Sequence, residues 1–229
     1  MNKLRKITSL IFMTIIMVGC SSIPEQPTSV EWQSHQDRLL QIENYQASGK
    51  LAYISPEQRQ SLNFIWKHSP NQSQLRLTTF LGQTALNLTI DPSGAKVVTY
   101  DDQVFTHASA SVLVEQLTGL QIPIDHLPQW FLGIPDQADS YQLNTTNTLE
   151  SLTKQVSNQL WTLNFDNYRN TEMPSKLLSG EDNKNSSEDN KNSSEDNTKV
   201  ETIPLPTRLS FKQDENKINI VVSKWTLKK

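Results

Sequence analysis

Side chains able to do covalent or metal chemistry are scarce in this chain. Cys20 is the only cysteine, so it has no disulfide partner and no second thiolate for a zinc cluster. His35, His68, His107 and His126 show no metal-ligand spacing. No Gly-x-Ser-x-Gly elbow presents a nucleophile. Seven glycines in 229 residues supply neither a phosphate-cradling loop nor a dinucleotide fingerprint. Asp101-Asp102 is a carboxylate pair, but after Tyr100 it reads better as a hairpin turn than as an acid–base couple. No cofactor, metal or enzymatic activity is expected. What is left to Cys20 is modification of its own thiol.

The residues before Cys20 say which modification. Lys3, Arg5 and Lys6 precede an apolar run from Ile7 to Val18, broken by Thr8, Ser9 and Thr14. A basic head, a short apolar core and small residues at the cut are the layout of a secretory signal. The run falls short of the ~20 residues a membrane-spanning helix needs. Met17-Val18-Gly19-Cys20 resembles a bacterial lipobox, with Met17 where leucine is usual. In that pattern residues 1–19 are removed and Cys20 is acylated as the first mature residue. An ordinary signal with a chance cysteine, or an uncleaved anchor, is the competing reading. Ser21, in place of an aspartate, is permissive for export to the outer membrane under the sorting rules the pattern resembles. Each buried methylene contributes ~0.8 kcal/mol, so two or three acyl chains would fix the protein to a membrane surface.

Charge narrows the partners. The leader holds three basic residues and no acidic ones, so its loss makes the net charge of −3 more negative. An acidic protein is a poor match for nucleic acid. With no disulfide available, stability must come from a core, and roughly 200 residues suffice for one.

The elements follow from hydrophobic period. Residues 20–29, with Pro24 and Pro27, read as an extended tether. A helix is predicted from Val30 to about Tyr45, capped by Ser29, with Trp32, His35, Leu39 and Ile42 on one face and His35 packed as a core residue. From Ser48 the period changes to two: Leu51-Tyr53, Leu62-Phe64-Trp66, Leu75-Leu77-Thr79 and Leu86-Leu88-Ile90, then a strand from Lys96 to Asp101. Ser55-Pro56, Ser69-Pro70 and Asp91-Pro92-Ser93-Gly94 are turns. A helix from Ser109 to Leu117 carries Val112, Leu113, Leu117 and Leu120 on one side and ends at Gly119. A short helical piece bearing Leu127, Trp130, Phe131 and Leu132 stops at Gly133. Strands resume at Tyr141–Asn144, Leu149–Val156 and Trp161–Phe165, and a final hairpin joins Leu209-Phe211 to Ile218-Ile220-Val222, leaving Trp225 and Leu227 on the opposite face. Between them Gly180 to Lys199 repeats Glu-Asp-Asn-Lys-Asn-Ser-Ser and carries no apolar side chain, so it is expected to be a disordered insertion.

These elements make a mainly β, α+β architecture: an antiparallel meander with helices on its apolar face. A strongly twisted sheet of about ten strands curls. Helices across its open side either close-pack into a filled core or leave a cavity. One connection is odd. Phe80-Leu81-Gly82-Gln83 puts two bulky apolar residues at a hairpin tip. Either they fold back to plug the end of the sheet, or they meet a membrane or partner.

Several blocks together resemble one family. They are Trp66, Leu75-x-Leu77-Thr78, Leu81-Gly82-x-Thr84-x-Leu86-x-Leu88, Leu117-Thr118-Gly119, Ile122-Pro123-Ile124, Leu127-x-x-Trp130 with Gly133-x-Pro135, and Ile220-Val221-Val222-x-x-Trp225. The pattern resembles the LolB family, the outer-membrane receptors of lipoprotein localisation, over about residues 30–175 and 204–227. The resemblance implies a strongly curved antiparallel sheet forming an incomplete barrel, with a helical lid over an apolar cavity. It implies one lipoprotein-binding domain over 30–229, facing the periplasm, acting as a monomer without nucleotide. The protein would take lipoproteins from the soluble carrier LolA, hold their acyl chains, and insert them into outer-membrane lipid. Leu81, with Phe80, would form the membrane-insertion loop. Strand alternation makes Leu62, Phe64, Trp66, Leu75, Leu77, Leu86, Leu88, Trp130, Leu163 and Phe165 the candidate acyl-chain residues. A structural or assembly lipoprotein, lacking such a cavity, is the alternative, and a tethered hydrolase a third.

Overall fold

The computed structural model describes residues 29–119, 122–156, 158–174 and 201–228. Cys20, most of the 20–29 tether and the Gly180–Lys199 repeat lie outside the described residues.

The chain builds one eleven-stranded antiparallel sheet: β1 (Asn44–Ile54), β2 (Arg59–Ser69), β3 (Gln72–Thr78), β4 (Thr84–Asp91), β5 (Gly94–Thr99), β6 (Val104–His107), β7 (Ser140–Leu143), β8 (Leu149–Val156), β9 (Gln159–Glu172), β10 (Thr202–Gln213) and β11 (Asn216–Lys228). Their spatial order is β6-β5-β4-β3-β2-β1-β11-β10-β9-β8-β7. Strands β6 and β7 are the two unpaired edges, so the curved sheet does not close and the barrel is incomplete. The pairing of β1 with β11 joins two meanders.

Among the described residues, three short helices cover the concave face. Helix α1 (Trp32–Leu40) packs on β10 and α2 (Ala110–Thr118) on β5 and β6, while α3 (Leu127–Leu132) follows a single 3-10 turn at Ile124–His126. Helix α1 is shorter than predicted. Glu31, not Ser29, caps it, accepting from the Gln33 and Ser34 amides at 3.1 and 2.7 Å, and β1 has begun by Asn44. His35 and Leu39 are buried, as is Ile42 beyond the helix end. Ser109 caps α2 and Gly119, at φ 74°, ends it in the left-handed conformation. On α2 the buried residues are Ala110, Leu113 and Val114, whereas Val112 turns toward solvent, because the 110-113-114-117 spacing is the helical face and 112 falls outside it.

Cross-strand pairing aligns the inner side chains in rows. One runs Ala47–Trp66–Leu75–Leu88–Val97–Phe105; another runs Gln60–Tyr53–Ile218–Phe211–Leu163–Leu152. The parity of β11 changes at Ser223. Ser48 pairs with Lys224 and Gly49 with Val222, so β11 spends an extra residue there. The shift returns Trp225 and Leu227 to the inner side, where both pack on the core, in contrast to the opposite face expected from unbroken alternation. Gly49 is needed for it: a Cβ there would lie 1.9 Å from the Val221 carbonyl oxygen. The indole N–H of Trp225 donates to the Pro206 carbonyl at 2.8 Å. Strand β6 had no counterpart in the sequence reading, and Asp101-Asp102 lies in the turn leading to it.

An apolar cavity opening beside a bare hairpin tip

Helix α3 fills one part of the concave space. Phe131 stacks on Trp66 with centroids 5.5 Å apart and planes 8° from parallel, and it meets Phe64 at 6.2 Å. Trp130 is fully buried because its indole N–H finds the Asp136 carbonyl at 3.0 Å. Tyr45, also buried, accepts from the Trp66 indole at 3.0 Å and donates to the Pro128 carbonyl at 2.6 Å. Burial drives its phenol pKa far upward, so it serves as a neutral hydrogen-bonding strut.

Helix α2 is too short to extend this packing to the end of the sheet. Beneath it lies a cavity of about 360 Å³ lined by Leu51, Tyr53, Leu62, Leu75, Leu77, Leu86, Leu88 and Val97 from the strands. Val114, Leu117, Thr118, Ile122 and Ile124 roof it, Ile218 joins from β11, and Gln58 and Gln60 are polar contributions from the start of β2. Its size lies within the about 300–1,000 Å³ usual for ligand sites, and its lining is overwhelmingly apolar.

Of the ten residues singled out by alternation, Leu62, Leu75, Leu77, Leu86 and Leu88 line this cavity. Phe64, Trp66, Trp130, Leu163 and Phe165 are instead buried in the packed core beside it. Packing separates the two sets: the Phe131 ring of α3 lies against Phe64 and Trp66, whereas the leucines face the space beneath α2. Leu51, Tyr53, Val97, Val114, Ile124 and Ile218 are among the other lining residues, none of them singled out by alternation. All but Val114 and Ile124 carry the same period-two signal, so alternation plus pairing register finds them; the helix side of the roof needs the tertiary fold.

Exposure excludes one of the two readings of the Phe80-Leu81 tip. Phe80 is 87% and Leu81 72% exposed, so the pair does not plug the sheet. The turn is held by the Thr79 amide donating to the Gln83 carbonyl at 2.8 Å and the Gly82 amide donating to Thr79 at 3.0 Å, with Gly82 at φ +83°. The turns β1–β2, β3–β4, β5–β6, β8–β9 and β10–β11 share one end of the sheet, since Ile54 pairs with both Arg59 and Lys217, Val156 with Gln159, and Gln213 with Asn216. Tyr53, Gln58, Gln60 and Ile218 bring the cavity to that same end.

A second cavity, of about 290 Å³, lies at the opposite end between α1 and β10 and is mixed in polarity, lined in part by His35, Arg38 and Thr202. Arg38 bridges Glu201 at 2.8 Å and donates to the Thr202 carbonyl at 2.9 Å. Burial, reinforced by the Arg38 charge, lowers the His35 pKa to about 4, so the ring is neutral in the fold. Among the described residues no cluster of His, Cys, Asp and Glu could hold a metal ion, and no helix is long and apolar enough to cross a membrane.

A family model described as outer membrane lipoprotein LolB matches residues 43–186. Full-length relatives named outer-membrane lipoprotein LolB come from Vibrio atlanticus (88% identical over 100% of both chains), Vibrio vulnificus (52%, 96% of both) and Pectobacterium carotovorum (31%, 99% of both). Among solved structures, a LolA superfamily protein from Nitrosomonas europaea superimposes with a TM-score of 0.45 at 11% identity, covering 87% of this chain and 94% of its own.

Proposed function

Because this chain belongs to the LolB family of outer-membrane lipoproteins, we propose that it is an acylated receptor that accepts lipoproteins and passes them into outer-membrane lipid. The carrying observation is the placement of the apolar cavity and the bare Phe80-Leu81 tip at one end of the sheet.

Cys20 serves as the anchor and does no more than confine the domain to the membrane surface. The client's acyl chains are the cargo. An incoming chain enters at Tyr53, Gln58, Gln60 and Ile218 and lies along Leu62, Leu77 and Leu86 under Leu117. Each methylene moved from water to this lining contributes ~0.8 kcal/mol. A cargo chain therefore moves only between apolar sites that touch, first carrier to cavity and then cavity to bilayer. Direction needs only a rising affinity along that sequence, with no nucleotide. The tip acts at the last step: its apolar pair enters the headgroup boundary and holds the cavity mouth against lipid.

Acceptance is tested with the purified domain lacking residues 1–20 and a lipoprotein complexed with its periplasmic carrier, LolA. The receptor reading predicts that the client co-purifies with the domain after mixing. If the client stays wholly on the carrier, the chain is a structural lipoprotein instead.

A further inference from the structure

The membrane-contacting end carries a second exposed ring. Tyr100, at the start of the β5–β6 turn, is 79% exposed, and Val104 just beyond the turn is 55% exposed. Nothing in the core or the cavity uses either side chain. The turn itself is ordered by hydrogen bonds. The Thr99 amide donates to the Gln103 carbonyl at 3.1 Å, and Asp101 accepts from the Thr99 hydroxyl and, at 2.7 Å, from the Gln103 side-chain amide. Asp102 follows at φ 60° with its side chain in solvent. An exposed tyrosine is thus held in place beside two carboxylates.

Register fixes how this turn stands relative to the apolar tip. Leu77, Leu86 and Thr99 pair across β3, β4 and β5, so they share one level of the sheet. Phe80 lies three residues past that level and Tyr100 one. At ~3.3 Å per residue, the tip leads Tyr100 by roughly 7 Å, and the two turns sit about 10 Å apart across the strands. Burial of apolar side chains into the boundary between headgroups and acyl chains is of that same depth, about 5–10 Å. Phenol rings favour the headgroup level, and charged carboxylates are excluded from the hydrocarbon below it.

We propose that Tyr100 is a second membrane anchor, seated among headgroups of a zwitterionic bilayer while Phe80 and Leu81 enter below, and that it thereby sets the depth of the tip. The proposal rests on the reading of the tip given above. Asp101 and Asp102 make a net anionic bilayer surface the poorer partner, since like charges would meet.

The test uses the full acylated chain in phosphatidylcholine vesicles, with an environment-sensitive fluorophore on Gln83→Cys beside the tip. Lipid-borne quenchers report the immersed fraction. Tyr100→Ala should lower that fraction about fivefold, and Tyr100→Trp should restore it. Leu81→Glu should abolish immersion. If Leu81→Glu abolishes it and Tyr100→Ala leaves it unchanged, the second anchor is disproved and the tip reading stands. If the label remains immersed in Leu81→Glu, the tip reading fails and the second anchor fails with it.

Discussion

Leu81, proposed to meet lipid, carries no part of the folding energy. It is bound to nothing in the fold, so its replacement should leave stability within about 0.5 kcal/mol. Leu81→Glu places a charge where lipid contact is proposed. The expected outcome, read by vesicle delivery of a preloaded client, is a drop of more than about tenfold, since burying a carboxylate there costs ~2 kcal/mol or more. Acceptance from the carrier and thermal unfolding should match the unmodified chain. His35 shows the opposite case, a residue that matters to stability alone. Its folded pKa of about 4 lies below its ordinary 6.5. The unfolded chain therefore takes up the proton first, and the stabilisation is complete above pH 6.5 and lost as pH falls toward 4. The loss is bounded at about 3 kcal/mol. Half-buried His68, its pKa also lowered by desolvation, acts in the same direction. Urea titrations at pH 7, 5.5 and 4.5 should show this slope, and His35→Leu should reduce it to what His68 contributes.

At the scale of elements, the bulge opposite Gly49 decides more than any helix. It rotates the end of β11 so that Trp225 reaches the Tyr45 ring, 5.6 Å away, and the Pro206 carbonyl. Gly49→Val must break this pairing or move the Val221 backbone, and should cost more than about 3 kcal/mol, measured by chemical denaturation. The same bulge marks a limit of reading elements from sequence. Period-two alternation located β1–β5 and β7–β11 to within a few residues, except that β9 and β10 run well beyond the apolar residues that mark them. Alternation carries no warning of one extra residue, so Trp225 and Leu227 were assigned to the wrong side. Strand β6 was missed because Val104 and Phe105 are adjacent apolar residues without alternation, and an edge strand needs only one partner to be fixed. Half the candidate cavity residues are buried in the packed core, Phe64 and Trp66 under Phe131 of α3. Alternation tells which way a side chain points, and only the packing of Phe131 on Trp66 tells whether space remains in front of it.

At the scale of the molecule, the chain enters far from the tip. The Val30 amide donates to the Thr146 carbonyl in the β7–β8 turn at 3.1 Å, and that turn lies at the end of the sheet opposite Leu81. Strand β1, of 11 residues, spans roughly 36 Å. Residues 20–29 fully extended reach at most ~36 Å. An anchor at Cys20 thus lets the tip touch the same membrane only when the tether is nearly taut or the domain lies over. Deleting Gln26–Thr28 should therefore slow delivery severalfold in a vesicle assay and leave acceptance unchanged. The Gly180–Lys199 repeat, which lies outside the described residues, has no apolar side chain to offer either step. The central claim is that a client's acyl chain occupies the cavity beneath α2. It is tested most directly by loading the receptor with a lipoprotein carrying a photoreactive acyl chain and mapping the crosslinks. Adducts are expected at Leu62, Leu77, Leu86, Val114 and Leu117. Adducts confined to the outer face of the sheet, at Arg76 and Asn87, would contradict it.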